Sequence, residues 1–216
     1  MDIKGKDIIT QNTLKYLGGG KIPDDAGLSA VISECIDLLE QEAHFRLCRE
    51  IYSLGHKDGY FYIPELSVKL ESEDTNIYLE GCDKICVILS TLGVETERFI
   101  RKIQMMDMAK GMVLDTCAGA YLEYMTDEAE KDLGDRTFRF CPGYGDLSLS
   151  LNATFLNAIN GTKRIGVSLT NGGLFLPQKS MLGLIGLGRV NTNRTCGRCV
   201  RKAKCSFRAE GIRCWN

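Results

Sequence analysis

The spacing of apolar residues divides the first half of the chain into helical and extended stretches. Over residues 25–41, apolar side chains recur every three or four positions, which predicts an amphipathic helix with one stripe facing a core. The uninterrupted apolar run at 85–89 is typical of a fully buried strand. Between 94 and 133 the helical spacing returns, and it predicts one long helix or two helices with a break near 105–110.

Shorter elements lie around the buried run. Residues 45–54 and 60–70 are rich in aromatic and branched side chains, which predicts two strands, and the glycine-bounded stretch 55–59 between them predicts a hairpin loop. A short helix is predicted at 74–80. These elements place a hairpin and a short helix ahead of the buried strand.

Beyond Gly134 the pattern changes to short extended segments separated by glycine turns. Strands are predicted at 137–140, 164–169 and 181–187, and a helix at 151–159 is expected to end near Gly161. Because the alternation lacks regular βαβ spacing, the sequence predicts an α+β fold with a twisted, mostly antiparallel sheet flanked by helices.

Composition supports a globular protein. The 216 residues are 44% hydrophobic and 25% charged, which is enough apolar surface for a core and argues against disorder. A formal net charge of -1 gives no whole-chain argument for binding nucleic acid or a membrane surface. Without a long apolar run or a secretory signal pattern at the start, a cytoplasmic protein is expected.

Two groups of sulfur-containing side chains are predicted to lie in the core. Methionines cluster at the predicted helix break, and they are expected to fill gaps in the core: Met105, Met106, Met108 and Met112. Six of the ten cysteines fall in core-like segments and are expected to be reduced thiols: Cys35, Cys48, Cys82, Cys86, Cys117 and Cys141. Small residues on the same helical region predict close packing against a neighbour: Gly111, Ala118, Gly119 and Ala120.

The segment RFCPGYGD at 139–146 is the first candidate for ligand binding. Proline fixes one backbone angle and the glycines free others, so main-chain groups can turn away from the sheet. The planar guanidinium of Arg139 suits two-point binding of a carboxylate, and Tyr144 offers a ring face to a base or a cation. The pattern alone favours a ligand loop no more than an ordinary tight turn.

This segment resembles a motif of a known family. Arg-x-x-Pro-Gly-Tyr is similar to the signature of the activation (reactivation) domain of cobalamin-dependent methionine synthase, where it binds S-adenosylmethionine. The stretches RIGVSLT and LPQKSMLG also resemble the family's Leu-Thr segment and its Pro-x-x-Ser-x-x-Gly motif, and LEGCD with TLG resembles the start of free-standing versions. The resemblance spans most of residues 10–208.

The resemblance implies a ligand site. Arg139 would pair with the methionine carboxylate, while the neighbouring backbone would hold the adenosine; the implied binding residues are Arg139, Cys141, Pro142, Gly143, Tyr144 and Gly145. Two positions depart from the fused enzymes: Asn171 replaces the Glu after Leu-Thr, and Ile185 replaces a Tyr that contacts the ligand. An acidic residue that the fused domain supplies near its start has no counterpart here.

The resemblance also implies a function. Such domains support reductive methylation of cob(II)alamin, in which cobalt is the nucleophile and the protein supplies positioning rather than a general base. Neither of the two histidines has a catalytic setting, and the Asp-x-His-x-x-Gly pattern of cobalamin domains is missing. The chain is therefore expected to be a component of methionine synthase, with cobalamin brought by a partner and flavodoxin or ferredoxin as a further partner.

The second candidate site lies at the C-terminus. Four cysteines fall within 19 residues, the first two in a C-x2-C spacing that lets one turn direct both sulfurs at one ion: Cys196, Cys199, Cys205 and Cys214. Zinc and an iron-sulfur cluster are both compatible with this spacing. Reactivation consumes an electron, which is a functional reason to favour the iron-sulfur cluster. The cysteine spacing itself does not distinguish the cluster from zinc.

A change in charge separates this tail from the rest of the chain. Residues 194–216 contain seven basic residues and one acidic residue, so the sequence predicts an α+β domain at 1–193 and a basic cysteine-rich tail at 194–216. Docking on an acidic partner or compensation of thiolate charge ranks above RNA binding for this tail. The alternatives to a reactivation factor are an iron-sulfur electron-transfer accessory for another corrinoid methyltransferase and a zinc-knuckle nucleic-acid module.

Overall fold

A computed structural model describes residues 1–18, 25–190, 196, 199 and 202–213. Its main sheet has three antiparallel strands in the order β1 (Arg46–Ser53), β5 (Lys84–Thr91), β8 (Ser180–Leu187). Strand β5 is central and buried from its second residue to its last, which confirms the strand predicted at 85–89. Within the described ranges, no helix is long and apolar enough to cross a membrane.

Helices pack on one face of this sheet and form their own core. They are α1 (Ile3–Leu17), α2 (Ala26–Glu42), α4 (Gly93–Met106) and α5 (Met108–Ala129). Helix α2 begins where the sequence predicts it, since the Asp25 carboxylate accepts a hydrogen bond from the N–H of Leu28. The predicted break falls at Asp107, whose extended backbone ends α4 and whose side chain caps α5.

Smaller elements cover the other face. One group is a small sheet of β2 (Gly55–Lys57), β3 (Tyr60–Ile63) and β4 (Val68–Leu70), which is followed by helix α3 (Glu73–Tyr78). The other group contains helices α6 (Leu151–Ala158) and α7 (Gly161–Ile165) and a hairpin of β6 (Ser168–Leu169) and β7 (Phe175–Leu176). Their apolar side chains share a core with Val87 and Leu89 of β5. The result is an α+β fold with antiparallel sheets, as the sequence predicts.

The predicted hairpin at 45–70 is wrong in its pairing. Strand β1 pairs with β5, and the hairpin forms between β2 and β3 instead. The loop is therefore only Asp58 and Gly59, both with positive φ, the geometry that suits a two-residue turn between twisted strands. A 3-10 turn at Pro64–Leu66 also splits the predicted strand 60–70 in two.

The predictions around Gly161 also need correction. Helix α6 does end just before it, but Gly161 begins α7 rather than a loop, so Arg164 is helical and the strand predicted at 164–169 shrinks to β6. A β-carbon at Gly161 would lie 2.5 Å from Leu89 Cδ2 and 2.7 Å from Leu156 Cδ1. The glycine therefore serves close packing of α7 against the central strand.

The four methionines near the helix break are exposed, so the prediction that they fill the core is wrong. Met105, Met106, Met108 and Met112 are 82%, 75%, 65% and 57% exposed, respectively. They lie at the tip of the α4–α5 pair, where the break at Asp107 carries both helix ends beyond the packed layer, while Val113, Leu114 and Cys117 take the core-facing positions of α5. Among the described residues, no other layer packs against this tip. Helical periodicity alone could not show this.

The prediction that six cysteines are reduced thiols in the core agrees with the structure for five of them. The cysteines that the structure describes are all free thiols, and five of the six assigned to the core are buried, Cys141 being half-buried. Burial raises the pKa of Cys35 to about 11 and of Cys86 and Cys117 to about 12, so these thiols are protonated and unreactive at neutral pH.

Candidate ligand-binding site

Arg139 belongs to a segment that runs along the free edge of β8. Phe140 N–H donates to the carbonyl of Leu184 at 2.9 Å, and Leu184 N–H donates back to Phe140 at 2.8 Å. Thr137 N–H similarly donates to the carbonyl of Gly186 at 2.9 Å. These bonds extend the main sheet by a short irregular fourth strand and hold the arginine in a defined place.

Gly183 makes room for the arginine side chain. A β-carbon at this position would overlap Cγ and Cδ of Arg139. The aliphatic part of Arg139 therefore lies flat across β8 at the glycine, and only 9% of the residue is exposed. The Gly of the Pro-x-x-Ser-x-x-Gly stretch and the Arg of the Pro-Gly-Tyr stretch, 44 residues apart in sequence, thus form one packed unit.

The guanidinium of Arg139 is held by two carboxylates from the end of α5. One nitrogen bonds Glu130, whose side chain is 6% exposed, and the other donates to Asp127 Oδ1 at 3.0 Å. Burial opposes the charge on Arg139, but the attraction of Glu130 and Asp127 outweighs it and raises the arginine's pKa. Burial likewise raises the pKa of Glu130, with Arg139 offsetting part of the effect.

The last two turns of α5 carry an acidic stripe. Glu123, Asp127 and Glu130 are spaced by four and three residues, so they share one face of the helix. Burial raises the pKa of the Cys141 thiol to about 11, and Glu123 and Glu130 add to the rise, which places this stripe close to the 139–145 loop. Two carboxylates of this stripe therefore hold Arg139, and the third, Glu123, lies near Cys141.

The loop is closed by hydrogen bonds within its own backbone. Gly143 and Gly145 have φ values of 90° and 54°, and Gly143 N–H donates to Leu147 while Tyr144 N–H donates to Cys141. The main-chain N–H groups of Gly143 and Tyr144 therefore donate within the loop. The sequence analysis predicted instead that such groups would turn away from the sheet and be available to a ligand.

Asp146 ties the loop to helix α3. Its carboxylate accepts hydrogen bonds from Ser72 Oγ and from the backbone N–H groups of Glu73 and Asp74. Burial opposes ionisation of Asp146, but these hydrogen bonds outweigh it and lower its pKa. The loop is consequently shaped before any ligand arrives.

Tyr144 presents its ring at the surface. It is 54% exposed, and its ring packs edge-on against Phe140 with centroids 6.0 Å apart. The charge of a Cys141 thiolate, burial and the nearby Glu123 all raise the pKa of the phenol, so Tyr144 is a neutral aromatic surface at physiological pH. Such a ring can stack on a base or face a cation.

The two positions that depart from the family differ in their surroundings, and Ile185 lies two residues after Gly183 on the same face of β8. Asn171 is exposed in the turn that precedes β7. This turn lies near the loop, because Leu149 is close both to Gly143 of the loop and to Gly173 of the turn. Ile185 is fully buried in the sheet opposite Cys86, so it contributes packing.

The cysteine-rich tail contacts the body of the protein near the loop. Phe207, in the short helix α8 (Ser206–Ala209), packs edge-on against Tyr16 of α1 with ring centroids 6.1 Å apart. Tyr16 in turn is close enough to Tyr144 to affect the pKa of that phenol. Helix α8 therefore lies near the rim of the candidate site.

The predicted metal site is only partly described. Cys196, Cys199 and Cys205 are half-buried free thiols, and Cys214 lies outside the described residues. Among the described side chains, no group of three or more His, Cys, Asp or Glu residues is placed to hold a metal ion. The four-cysteine interpretation stays a prediction.

Sequence reasoning missed the acidic partners of Arg139. Asp127 and Glu130 lie at the end of a helix that was predicted, and their i, i+3 spacing was readable. Nothing in the sequence indicated that this helix end would meet the edge of β8, because that contact depends on how α5 crosses the sheet.

The chain resembles known proteins in structure rather than in sequence. No protein-family model matches the sequence, and no curated protein matches it. Among solved structures, the crystal structure of the MetH reactivation domain bound to AdoHcy matches with a TM-score of 0.62 at 15% sequence identity, covering 99% of this chain and 85% of that one. The chain therefore has the fold of the MetH reactivation domain.

Proposed function

We propose that the chain is an S-adenosylmethionine-binding reactivation factor that supports reductive methylation of cob(II)alamin on a cobalamin-dependent methionine synthase. The observation that carries the proposal is the Arg139 cluster, in which the arginine, its glycine platform and the shaped Pro-Gly-Tyr loop meet at one edge of the sheet. A solved structure of the same fold contains AdoHcy, which agrees with a ligand of this class.

The charges of the cluster suit this ligand. S-adenosylmethionine carries a carboxylate, an ammonium group and a sulfonium cation, so it needs both signs of charge at one site. Arg139 supplies the positive group, Glu123 of the α5 stripe supplies a negative one, and the Tyr144 ring supplies a surface for the adenine or the sulfonium. The remaining proposed contacts come from the loop backbone at Cys141, Pro142, Gly143 and Gly145.

The role of the chain is to position the methyl group. In the proposed reaction the cobalamin of the partner takes up one electron and the methyl group, and S-adenosylhomocysteine leaves. The chain's own residues hold the ligand and exclude water, and no protein base is required. The proposed partners are a cobalamin-domain protein and a flavodoxin or ferredoxin that delivers the electron.

Calorimetry and a reactivation assay test the proposal. The purified chain should bind S-adenosylmethionine, and removal of Arg139 should abolish detectable binding. Arg46→Ala is the matched control, because Arg46 also pairs with a carboxylate, that of Glu95 at 3.1 Å, but lies outside the cluster. The chain should also restore activity to an oxidised, cobalamin-loaded methionine synthase that lacks its own such domain; failure of both experiments would exclude the function.

We further propose that the cysteine tail binds zinc or an iron-sulfur cluster through Cys196, Cys199, Cys205 and Cys214. Support comes from the C-x2-C spacing and from the turn in which Cys199 N–H donates to the carbonyl of Cys196 at 3.4 Å. Anaerobic purification decides the metal: a colourless protein with one zinc excludes the cluster. A reducible visible chromophore without S-adenosylmethionine binding would instead favour an electron-transfer accessory for another corrinoid protein.

A further inference from the structure

The two carboxylates that hold Arg139 differ sharply in their surroundings. The Glu130 side chain is 6% exposed and sits against the sheet, so its bond to the guanidinium is part of the core. The Asp127 side chain is 62% exposed and reaches Arg139 from the solvent side, at 3.0 Å. The Asp127 contact is therefore the solvent-facing side of the ion-pair cluster around the guanidinium.

This pairing leaves Arg139 with no net attraction for a third carboxylate. Glu130 already compensates the arginine charge, and Asp127 adds a further negative charge at the same group. A ligand carboxylate that approached from the solvent side would be repelled by these two carboxylates and would meet an occupied N–H group. For Arg139 to bind it, one existing carboxylate must leave.

The exposed carboxylate is the one that can leave. Releasing Asp127 returns a mostly hydrated side chain to water, whereas releasing Glu130 would strand a buried charge. We infer that Asp127 occupies the place of the ligand carboxylate in the ligand-free protein and is displaced when the ligand binds. The inference rests on the proposed function, and it makes Asp127 an internal competitor that sets ligand affinity.

The test compares two ligands on one variant. Asp127→Asn removes the competing charge, so S-adenosylmethionine should bind about two- to fivefold more tightly, the range expected from an exposed ion pair. 5′-Methylthioadenosine has the adenosine and sulfur but no carboxylate, and its affinity should not change. Asp127→Ser serves as a second variant in case the asparagine amide bonds Arg139 in the same way.

Glu128→Gln is the matched control. Glu128 carries the same charge on the same helix end but pairs with Lys131 instead of Arg139, so this variant should give no gain. Equal or weaker binding of S-adenosylmethionine to both Asp127 variants would overturn the inference, as would an equal gain in Glu128→Gln. If the folded wild-type chain bound neither ligand, the proposed function would fail and take this inference with it.

Discussion

The two segments that stand out in the sequence, the 139–146 loop and the cysteine-rich tail, are built into the fold to different degrees. The loop is hydrogen-bonded to β8, capped onto α3 through Asp146, and packed through Arg139 on Gly183. The contacts of the described part of the tail include local backbone hydrogen bonds and the Phe207–Tyr16 ring pair. The core shapes the loop, whereas local contacts hold the described part of the tail.

The largest effect should come from removing Arg139. Arg139→Ala leaves the buried Glu130 carboxylate without its partner, so we expect a loss of about 3–5 kcal/mol in the free energy of unfolding. Urea denaturation measures this loss. Replacing both partners with apolar residues, as in Arg139→Met with Glu130→Leu, should recover much of it; a small loss in the single variant would mean that the pair is not buried as described.

Gly183→Ala tests the glycine platform. The added methyl group overlaps the arginine stem, so Arg139 must shift, and we expect a loss of about 1–3 kcal/mol in stability together with weaker ligand binding. Gly119→Ala is the control, since a β-carbon there meets nothing within 4 Å and an alanine in a helix should stabilise by about 0.5–1 kcal/mol. Similar behaviour of the two variants would remove the packing argument.

Phe207→Ala probes the attachment of the tail. We expect a loss of only about 0.5–1.5 kcal/mol, because one edge-on aromatic pair is removed. A double-mutant cycle with Tyr16→Ala measures the coupling, and the two losses should not add. If the losses were additive, the ring contact would not be what holds the tail.

The smallest effect should be a change in acid sensitivity at the loop. The pKa of Asp146 is lowered in the folded protein, so its contribution to stability is present above the unfolded value of about 4 and is lost as pH falls through the lower folded value. Asp146→Asn should therefore flatten the fall in stability with decreasing pH in that window. Denaturation curves from pH 5 to pH 2 measure it, and an unchanged slope would contradict the assignment.

Much of the fold was readable in advance because it follows from local patterns. The continuous apolar run at 85–89 could only be satisfied in the centre of a sheet, and the Asp25 and Asp107 side chains cap the helices that follow them. The errors occurred where a pattern had two solutions. Strand β1 could pair with its neighbour in sequence or with the distant β5, and the structure pairs it with β5.

The candidate site shows the same division. The loop chemistry of proline, glycines and arginine is local, so the sequence by itself determined that a shaped turn follows Arg139. Tertiary structure decided what surrounds that arginine: a glycine platform from β8 and two carboxylates from the end of α5, brought together by the crossing of helix and sheet. Such a contact depends on chain packing over long separations, which no local pattern of side chains encodes.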